Sequence, residues 1–409
     1  MSFARVATLA LAAFGALRSL GAQLSAAAND CNRAPSKPIA FIDVPGNPFQ
    51  ALPSGDGCWV FVSIPPGPAR GPAKIGVLRR AGGSLTLERV MPIDGNPTGM
   101  VLTHDGRMLI VADGPRVAFI DVEKLTTTRG DAVLGYLNEP GRLGRIYANV
   151  TRDDRTLFVA DENAETISVI DLAQTRASHF HASSIVGKIS TGAAPIALTF
   201  SPDEKLLYTT SQAAPKALNW AVECKREGGA GTDTTPVNPQ GAILIVDAAR
   251  AKSDPAHSVV GAVPAGCSPV RLVLSPSGDR AYVTARNSNA LLVFDRVKLT
   301  SDPAHARIGS VTVGTAPVGI AVVDSGRKII VTNSNRFGGS RNDQQTLTVV
   351  DAAKIGSADS SILGSIPAGA FPREMRVTPD GTTLIITNFA SGSVETIDLT
   401  RLPIAPPKP

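Results

Sequence analysis

The four cysteines of the chain are the residues whose type and spacing could carry redox or metal chemistry. Cys31, Cys58, Cys224 and Cys267 are too far apart for a C-x-x-C or C-x-x-C-H motif. Their spacing therefore disfavours a zinc ribbon, a thioredoxin-like redox site and an attached c-type haem. In an exported chain the same cysteines are able to form disulfides.

A second group of residues has side chains suited to holding a ligand. Its members are Gln50, Tyr147, Trp220, Arg271, Arg336, Arg373 and Glu374. Arg271 and Glu374 carry opposite charges, so they could contact a ligand or simply pair with each other as a buried plug. In a hydrolase, Glu374 would be the candidate carboxylate, and Arg271 or Arg373 would stabilise developing negative charge. No nucleophile, base and orienting residue form a recognisable set, so no catalytic residue is assigned.

Four side chains with oxygen atoms could hold a metal. They are Asp113, Asp161, Asn333 and Asn388, each at the end of a predicted strand. Ca²⁺ takes six to eight oxygen ligands, so the four could bind this ion only if they converge. Alternatively, each organises the turn that follows its strand. We expect no other cofactor.

Segments of the sequence resemble one another at a spacing of about 50 residues, and this repeat relates the positions of the candidate residues. Seven segments align, and they begin at Asn47, Asn96, Gly144, Ala194, Ser268, Ala316 and Phe371. Equivalent positions are separated by 49, 48, 50, 74, 48 and 55 residues. Each unit has an apolar strand A, a polar turn, a β-branched strand B and, in all but the last, strands C and D, with no helical pattern between them.

Four short strands per unit predict an all-β fold, a seven-bladed β-propeller of four-stranded blades. The last unit lacks strand D, because the chain continues into the Pro-rich tail 401–409. The missing pattern occurs at the other terminus, from Ile39. We therefore predict a single domain over 29–400, in which an N-terminal strand completes the last blade and removes two exposed sheet edges.

Short sequence motifs in strand B indicate a family. Ala281-Tyr-Val-Thr, Ile330-Val-Thr-Asn and Ile386-Thr-Asn, preceded by Ser-Pro or Thr-Pro-Asp-Gly turns, resemble those of the YVTN-repeat β-propellers. The resemblance covers about residues 38 to 400. It implies an exported protein of a family that includes binding proteins, surface-layer proteins and lactonase-like relatives.

In such a fold the A strands line a central channel, and the D-to-A links and B-to-C loops form one face, here called the loop face. The opposite face, formed by the A-to-B turns and C-to-D connections, is called the turn face. We expect Arg271 and Glu374 near the channel mouth on the loop face. The long segments 213–240 and 335–345, with Trp220 and Arg336, enlarge that face and make this sector the favoured binding site.

The cysteines and histidines fit this arrangement of faces. Cys224 and Cys267 belong to the loop face, whereas Cys31 and Cys58 belong to the turn face, so we predict the pairs Cys31–Cys58 and Cys224–Cys267. All five histidines are expected on the turn face: His104, His179, His181, His257 and His305. A histidine-ligated metal or haem at the loop-face mouth is therefore disfavoured.

The N-terminal 28 residues have the pattern of an export signal. Arg5 supplies a positive start, an apolar run follows, and Ala26 to Ala28 are the small residues that a signal peptidase requires. The run is too short to span about 30 Å of hydrocarbon, so we expect no membrane span after processing. The mature chain is predicted to be secreted or periplasmic, and monomeric.

Two function classes remain from the sequence. The first is an exported binding or interaction protein that presents its loop face to a protein, a glycan or a small ligand. The alternative is a lactonase-like hydrolase with a metal- or carboxylate-based site in the central funnel. Without Arg5 and Arg18 the 40 basic residues become 38 against 35 acidic ones, a charge of +3. That small excess and the few aromatic residues disfavour nucleic-acid binding.

Overall fold

Seven antiparallel blades of four strands each surround an axis, as predicted, and in blade 4 strand A is broken into two short pieces. The computed structural model describes residues 30–67, 71–127, 130–141, 143–227, 235–336, 345–357 and 360–406. The predicted export signal lies outside these residues, as do parts of both long loop-face segments. None of the helices in the described part has the length and apolar character that a bilayer crossing requires.

Within each blade, strands A to D follow one another from the axis to the rim. The A strands are Gln50–Pro53, Pro97–Leu102, Arg145–Val150, Ala193–Pro195 with Thr199–Phe200, Pro269–Leu274, Pro317–Val323 and Pro372–Val377. The B strands are Trp59–Ile64, Met108–Asp113, Thr156–Asp161, Leu206–Ala213, Arg280–Ala285, Lys328–Asn333 and Thr383–Asn388. The C strands are Lys74–Ala81, Arg116–Asp121, Thr166–Asp171, Ala242–Asp247, Ala290–Asp295, Gln345–Asp351 and Ser393–Asp398.

The D strands form the rim. They are Ser84–Pro92, Val133–Asn138, Ile185–Ser190, Val259–Pro264, Arg307–Thr312 and Ile362–Ala368, with Ile39–Asp43 in blade 7. An extra hairpin, Val222–Lys225 and Pro236–Pro239, extends the loop face of blade 4. Short α-helices follow the C strands of blades 2 to 5 at Val122–Thr127, Leu172–Ala177, Ala248–Ala251 and Lys298–Ser301. Brief 3₁₀ turns occupy Ala182–Ser184, Lys216–Leu218, Pro255–His257, Arg286–Ser288, Pro303–His305, Asp324–Gly326 and Leu399–Arg401.

The core lies between adjacent blades. The B strands are buried along almost their whole length because both faces of each sheet are covered by neighbouring blades. This two-sided burial explains why these strands are continuous runs of Val, Ile, Leu and Thr rather than alternating patterns. Packing of blade on blade therefore supplies most of the hydrophobic stabilisation.

The N-terminal strand closes the ring as the sequence predicts. Ile39–Asp43 pairs antiparallel with strand C of blade 7, from Ile39 opposite Ile397 to Asp43 opposite Ser393. Just before it, Cys31 forms a disulfide with Cys58 at the start of strand B in blade 1. The terminal segment is thus joined to the first blade by a covalent bond and to the last by a sheet ladder.

A buried arginine reinforces the same junction on the turn face. Arg80 of blade 1 is 3% exposed, and its Nη2 donates to Asp380 at 2.8 Å and to Thr383 Oγ1 at 3.0 Å, both in blade 7. It also donates to the carbonyl oxygen of Arg33 at 3.1 Å. One guanidinium therefore connects blade 1, blade 7 and the segment that precedes the closing strand.

The repeated aspartates at the ends of the C strands are structural. The carboxylates of Asp171 and Asp247 accept backbone N–H groups of the helix that follows each strand. In blade 7, Asp398 accepts from Thr400 N at 2.8 Å. This is the capping role expected of a repeated Asp in a turn, and it uses each carboxylate locally.

The described part of the Pro-rich tail, residues 401–406, lies against the domain. Ala405 pairs with Ser365 on the outer edge of blade 6 through two backbone hydrogen bonds, of 2.8 and 2.9 Å. Leu402 and Ile404 pack against the same hydrophobic cluster as Leu363 of that blade. The tail thus covers one rim strand that would otherwise expose unpaired backbone groups.

A buried carboxyl group makes the stability of blade 7 depend on pH. Glu395 in strand C is fully buried, and burial raises its pKa to about 7, against hydrogen bonds from Asn388 and the Gly369 N–H. Because the pKa of Glu395 is higher in the folded state than in the unfolded state, protonation of this carboxyl group stabilises the fold. That stabilisation is complete at a pH below the unfolded-state pKa near 4.5 and is lost as the pH rises through about 7.

We expect the free energy of unfolding to fall by about 3 kcal/mol between pH 5 and pH 8, and Glu395→Gln to remove most of that fall, since Gln cannot ionise. Urea unfolding at four pH values measures both. The exposed Glu88→Gln is the matched control and should leave the pH profile unchanged. An identical profile for Glu395→Gln and the parent would contradict this account.

Candidate binding sites on the propeller axis

The A strands bring one residue from each blade to the axis, here called the axial layer. It consists of Gln50, Gly99, Tyr147, Ala197, Arg271, Gly319 and Glu374. The backbone N–H of Arg271 is bonded to Thr284 Oγ1 at 3.1 Å, and that of Glu374 to Thr387 Oγ1 at 3.2 Å. These hydroxyls belong to the adjacent B strand, so Arg271 and Glu374 are each held by their own blade.

The two opposite charges of the layer pair with each other. Arg271 Nε donates to Glu374 Oε2 at 2.6 Å, and Arg376 Nη1 lies 2.6 Å from Glu374 Oε1. Glu374 is 1% exposed and Arg271 is 7% exposed. Burial alone would raise the pKa of Glu374, but the guanidinium groups of Arg271 and Arg376 outweigh it and lower the pKa. The carboxylate is therefore ionised and fully engaged.

Tyr147 and Gln50 complete the layer. The Tyr147 hydroxyl donates to Glu374 Oε2 at 3.1 Å and accepts a hydrogen bond from Arg271, whose Cζ lies 3.9 Å from the Tyr147 ring centroid. Gln50 Oε1 accepts the backbone N–H of Met100, which links blades 1 and 2. Four of the seven sequence candidates thus lie in one buried polar layer.

An apolar layer covers this polar one on the loop-face side. The residue before the axial position is apolar in five blades: Phe49, Ile146, Ile196, Val270 and Val318. All five are buried and belong to one hydrophobic cluster. Arg271 and Glu374 therefore do not line a loop-face mouth, contrary to the expectation from the repeat. The sequence does contain a signal for this burial, namely the apolar residue that recurs immediately before the axial position.

Arg373 occupies the corresponding place in blade 7 and faces the loop side. Its Cζ lies 3.7 Å from the Phe49 ring centroid, and the rings of Phe371 and Phe389 lie within 5.8 Å of it. Desolvation lowers the pKa of Arg373 to about 10, which Glu162 partly opposes. The guanidinium is thus cationic and rests on aromatic rings rather than on a carboxylate.

The loop face carries further charges around Arg373. Arg286, which is 4% exposed, forms an ion pair with Glu227 of the blade 4 insertion and donates to Gln212 Oε1 at 2.9 Å. Burial raises the pKa of Glu162, while Arg373 and Arg286 lower it. Among the described residues Glu162 has no cationic group within 4 Å. It therefore stands apart from the arginines that influence it.

The other two sequence candidates lie apart from each other. Arg336 is exposed, and its Cζ is 5.7 Å from the Phe371 ring centroid, so it shares the aromatic surroundings of Arg373. Trp220 instead packs on Ala214, Ala242 and Leu244 at the loop side of blade 4. The structure therefore brings Arg336 to the loop-face site but leaves Trp220 on the insertion that borders it.

The predicted disulfides are both formed. Cys224, in the inserted hairpin of blade 4, is bonded to Cys267 in the link that leads to blade 5. Together with the Arg286–Glu227 ion pair, this bond fastens the insertion across the two blades. The insertion is thus anchored at the described positions rather than extending freely from the propeller.

The four candidate metal ligands do not converge. Asp113 accepts from Asn96 N and Arg116 Nε, and Asp161 accepts from the backbone N–H groups of Gly144 and Ala164. The amides of Asn333 and Asn388 likewise donate within their own blades, to Thr348 and to Glu395. In the described ranges no three Cys, His, Asp or Glu side chains are grouped so as to hold a metal ion. Asp113 and Asp161 thus organise turns, whereas Asn333 and Asn388 bond to strand C of their own blades.

A cavity of about 450 Å³ lies on the opposite side of the axial layer. Tyr147 and Arg271 line its inner end, and His104 and Glu204 line it in the A-to-B turns, so it reaches the turn face. The repeat had suggested that ligands approach from the loop side. Since His104 contributes to this wall, the histidines are not all remote from the channel.

Comparisons with known proteins identify the fold. No protein-family model matches the chain, and no curated protein sequence matches it. Among solved structures, Kuenenia stuttgartiensis hydrazine synthase is similar with a TM-score of 0.62 and 16% identity, covering 88% of this chain and 97% of that one. A chain of the mitotic checkpoint complex is similar with a TM-score of 0.62 and 14% identity, covering 90% and 95%.

A third similar structure is the β-propeller domain of Myceliophteria thermophila Cps50 (Swd1). Its TM-score is 0.56 at 11% identity, covering 87% of this chain and 97% of that one. At such low identities these likenesses show a shared propeller fold and nothing about a shared site. The resemblance to YVTN-repeat proteins therefore depends on the sequence phrases alone.

The axial ion pair makes a prediction about stability. We expect Glu374→Gln to lower the free energy of unfolding by about 3–5 kcal/mol, because it leaves the buried Arg271 without its carboxylate. Arg271→Met should lower it less, because Glu374 keeps Arg376 at 2.6 Å. The double variant should lose clearly less stability than the sum of the two single losses, since neither Arg271 nor Glu374 remains charged at the axis. Urea unfolding of the parent and the three variants gives the coupling energy.

The surface pair Arg152 and Glu204, with side chains 69% and 25% exposed and 3.8 Å apart, provides the control cycle, with an expected coupling below about 1 kcal/mol. Strictly additive losses for Arg271 and Glu374 would mean that their contact does not stabilise the axis.

Proposed function

We propose that the protein is an exported, non-catalytic binding protein whose loop face holds a partner bearing carboxylate groups. The observation that carries this proposal is the arrangement of charge there. Arg373 rests on aromatic rings and has no carboxylate within 4 Å among the described residues, and Arg336 lies beside the Phe371 ring of the same site. Cationic groups that are partly desolvated and grouped in this way favour an anionic partner.

The anchored insertion supports the same role. The Cys224–Cys267 disulfide and the Arg286–Glu227 ion pair restrict the loop face before any partner arrives. A surface ordered in advance loses less conformational entropy on association, so more of the contact energy contributes to affinity. Two disulfides also suit an oxidising compartment, which supports export.

The axial layer argues against the alternative lactonase-like site. A catalytic carboxylate must reach its substrate, yet Glu374 is 1% exposed and is engaged by Arg271, Arg376 and Tyr147. Arg271, one of the two arginines that would stabilise an oxyanion, is bound to the same carboxylate. The geometry is that of a structural ion pair at the axis.

Binding at the loop face is tested with a defined anionic glycan. Oligogalacturonate, titrated by calorimetry into the purified mature protein, is expected to bind, and Arg373→Gln combined with Arg336→Gln should weaken it at least tenfold. Lys216→Gln, at an exposed lysine of the blade 4 insertion, is the control and should change the affinity little. The same preparations are then assayed against sugar lactones and acyl-homoserine lactones, with and without Ca²⁺.

No hydrolysis above background is expected in that assay. Metal-dependent hydrolysis that an Arg271→Ala, Glu374→Ala double variant abolishes would overturn the non-catalytic role. Equal affinity of the Arg373, Arg336 double variant for oligogalacturonate, or no binding by the parent, would overturn the loop-face site.

Export is tested separately on the full chain. Produced in a Gram-negative host, the protein is expected in the periplasm with a new N-terminus near Ala26 to Ala28. Mass spectrometry of the intact product identifies that terminus. Ala26→Leu with Ala28→Leu should block cleavage, because signal peptidase requires small residues there. An uncleaved parent protein in the cytoplasm would contradict export.

A further inference from the structure

The turn-face cavity has the form of a ligand site that the proposed function does not use. Its volume of about 450 Å³ falls within the range of roughly 300–1,000 Å³ that is usual for small-molecule pockets. The axial layer closes its inner end, and the A-to-B turns form its mouth. It lies on the other side of the polar axial layer from Arg373.

Most of the residues that line this cavity are apolar, among them Leu52, Val101, Leu198, Phe200, Val273 and Ile320. Leu52, Leu198 and Phe200 are only half-buried, so they present hydrocarbon to the open space. Covering such surface stabilises a complex by about 25 cal/mol for each Å² removed from water.

The few polar groups on the walls are already engaged. Asn149 Nδ2 donates to the carbonyl oxygen of Leu198 at 2.8 Å, and Thr199 Oγ1 donates to that of Leu272 at 2.7 Å. At the mouth, His104 is paired with Asp154, and Glu204 accepts the backbone N–H of Arg152. The middle of the cavity therefore favours a ligand whose body is apolar.

The inner end carries an unbalanced positive charge. Two guanidinium groups, those of Arg271 and Arg376, share the single carboxylate of Glu374. Both arginines line the cavity, and the side chain of Arg376 is 37% exposed. Nη1 of Arg271, a residue 7% exposed, is a buried donor with no hydrogen-bond partner among the described residues.

An unpartnered buried donor is costly, and a ligand oxygen would remove that cost. A carboxylate suits the position best, because it accepts from guanidinium groups in charge-assisted bonds and offsets the excess charge. The partial exposure of Arg376 leaves its guanidinium open to the same group.

We propose that the turn-face cavity binds a medium-sized organic carboxylate, with its apolar body against the A strands and its carboxylate at Arg271 and Arg376. The ligand enters between the A-to-B turns. This site differs from the loop-face site in position and in ligand, so either can fail without the other.

Decanoate is the probe, with decanol and decylamine as analogues of the same chain length. Calorimetric titration below the micellar range is expected to show decanoate binding at least tenfold more tightly than decanol, and no binding of decylamine, which is cationic at neutral pH. Equal affinity for decanoate and decanol, or no decanoate binding at all, would overturn the proposal.

Variants locate the probe. Arg376→Gln leaves the Arg271–Glu374 contact in place and is expected to weaken decanoate at least tenfold while decanol is unchanged. Leu198→Trp fills the apolar wall from a half-buried position and should weaken both probes. Arg307→Gln, at an exposed arginine on the rim of blade 5, is the matched control and should change neither.

Thermal unfolding of each variant verifies that it is folded. A folded Arg376→Gln protein with the parent's affinity for decanoate would show that the carboxylate does not sit at the inner end. Decanoate binding that responds to Arg336→Gln instead would place the probe on the loop face, and would overturn the turn-face site without touching the proposed function.

Discussion

The hydrogen bonds of the B-strand hydroxyl groups are the interaction on which the centre of the propeller depends. Thr284 Oγ1 accepts the backbone N–H of Arg271 and donates to the carbonyl oxygen of Val318 in the next blade, at 3.1 and 2.8 Å. Ser63, Thr210 and Thr387 form the same pair of bonds in their blades. Each hydroxyl thus fixes an axial residue and joins two blades at once.

These bonds are needed because the A strands are irregular. The ladder between strands A and B shifts register beside the axial residue, for example between Pro269 and Leu272 and between Pro372 and Glu374. Such a bulge frees a backbone N–H from the ladder, and a buried N–H requires a partner. The hydroxyl supplies it, which gives the recurring Thr of strand B a physical role.

Because the backbone at the axis is fixed in this way, the charged side chains of Arg271 and Glu374 need partners at the positions where they lie. Arg271 and Glu374 meet across the channel and form a buried layer, which separates the molecule into two faces with different chemistry. The loop face presents charge on aromatic rings around Arg373, whereas the turn face opens into an apolar cavity with a cationic end. One ion pair therefore defines two distinct candidate sites.

The sequence alone determined the number of blades, the closing strand from Ile39 and both disulfide pairs, because these follow from a period, a missing strand and the order of loops along the chain. It also predicted that Arg271 and Glu374 share the axis. Only the tertiary structure decided that they are covered by apolar residues such as Phe49, and that the cavity opens on the turn face. The reason is that a bulge changes the direction in which the following side chains point. Which side chains meet at the axis depends on that direction rather than on residue type.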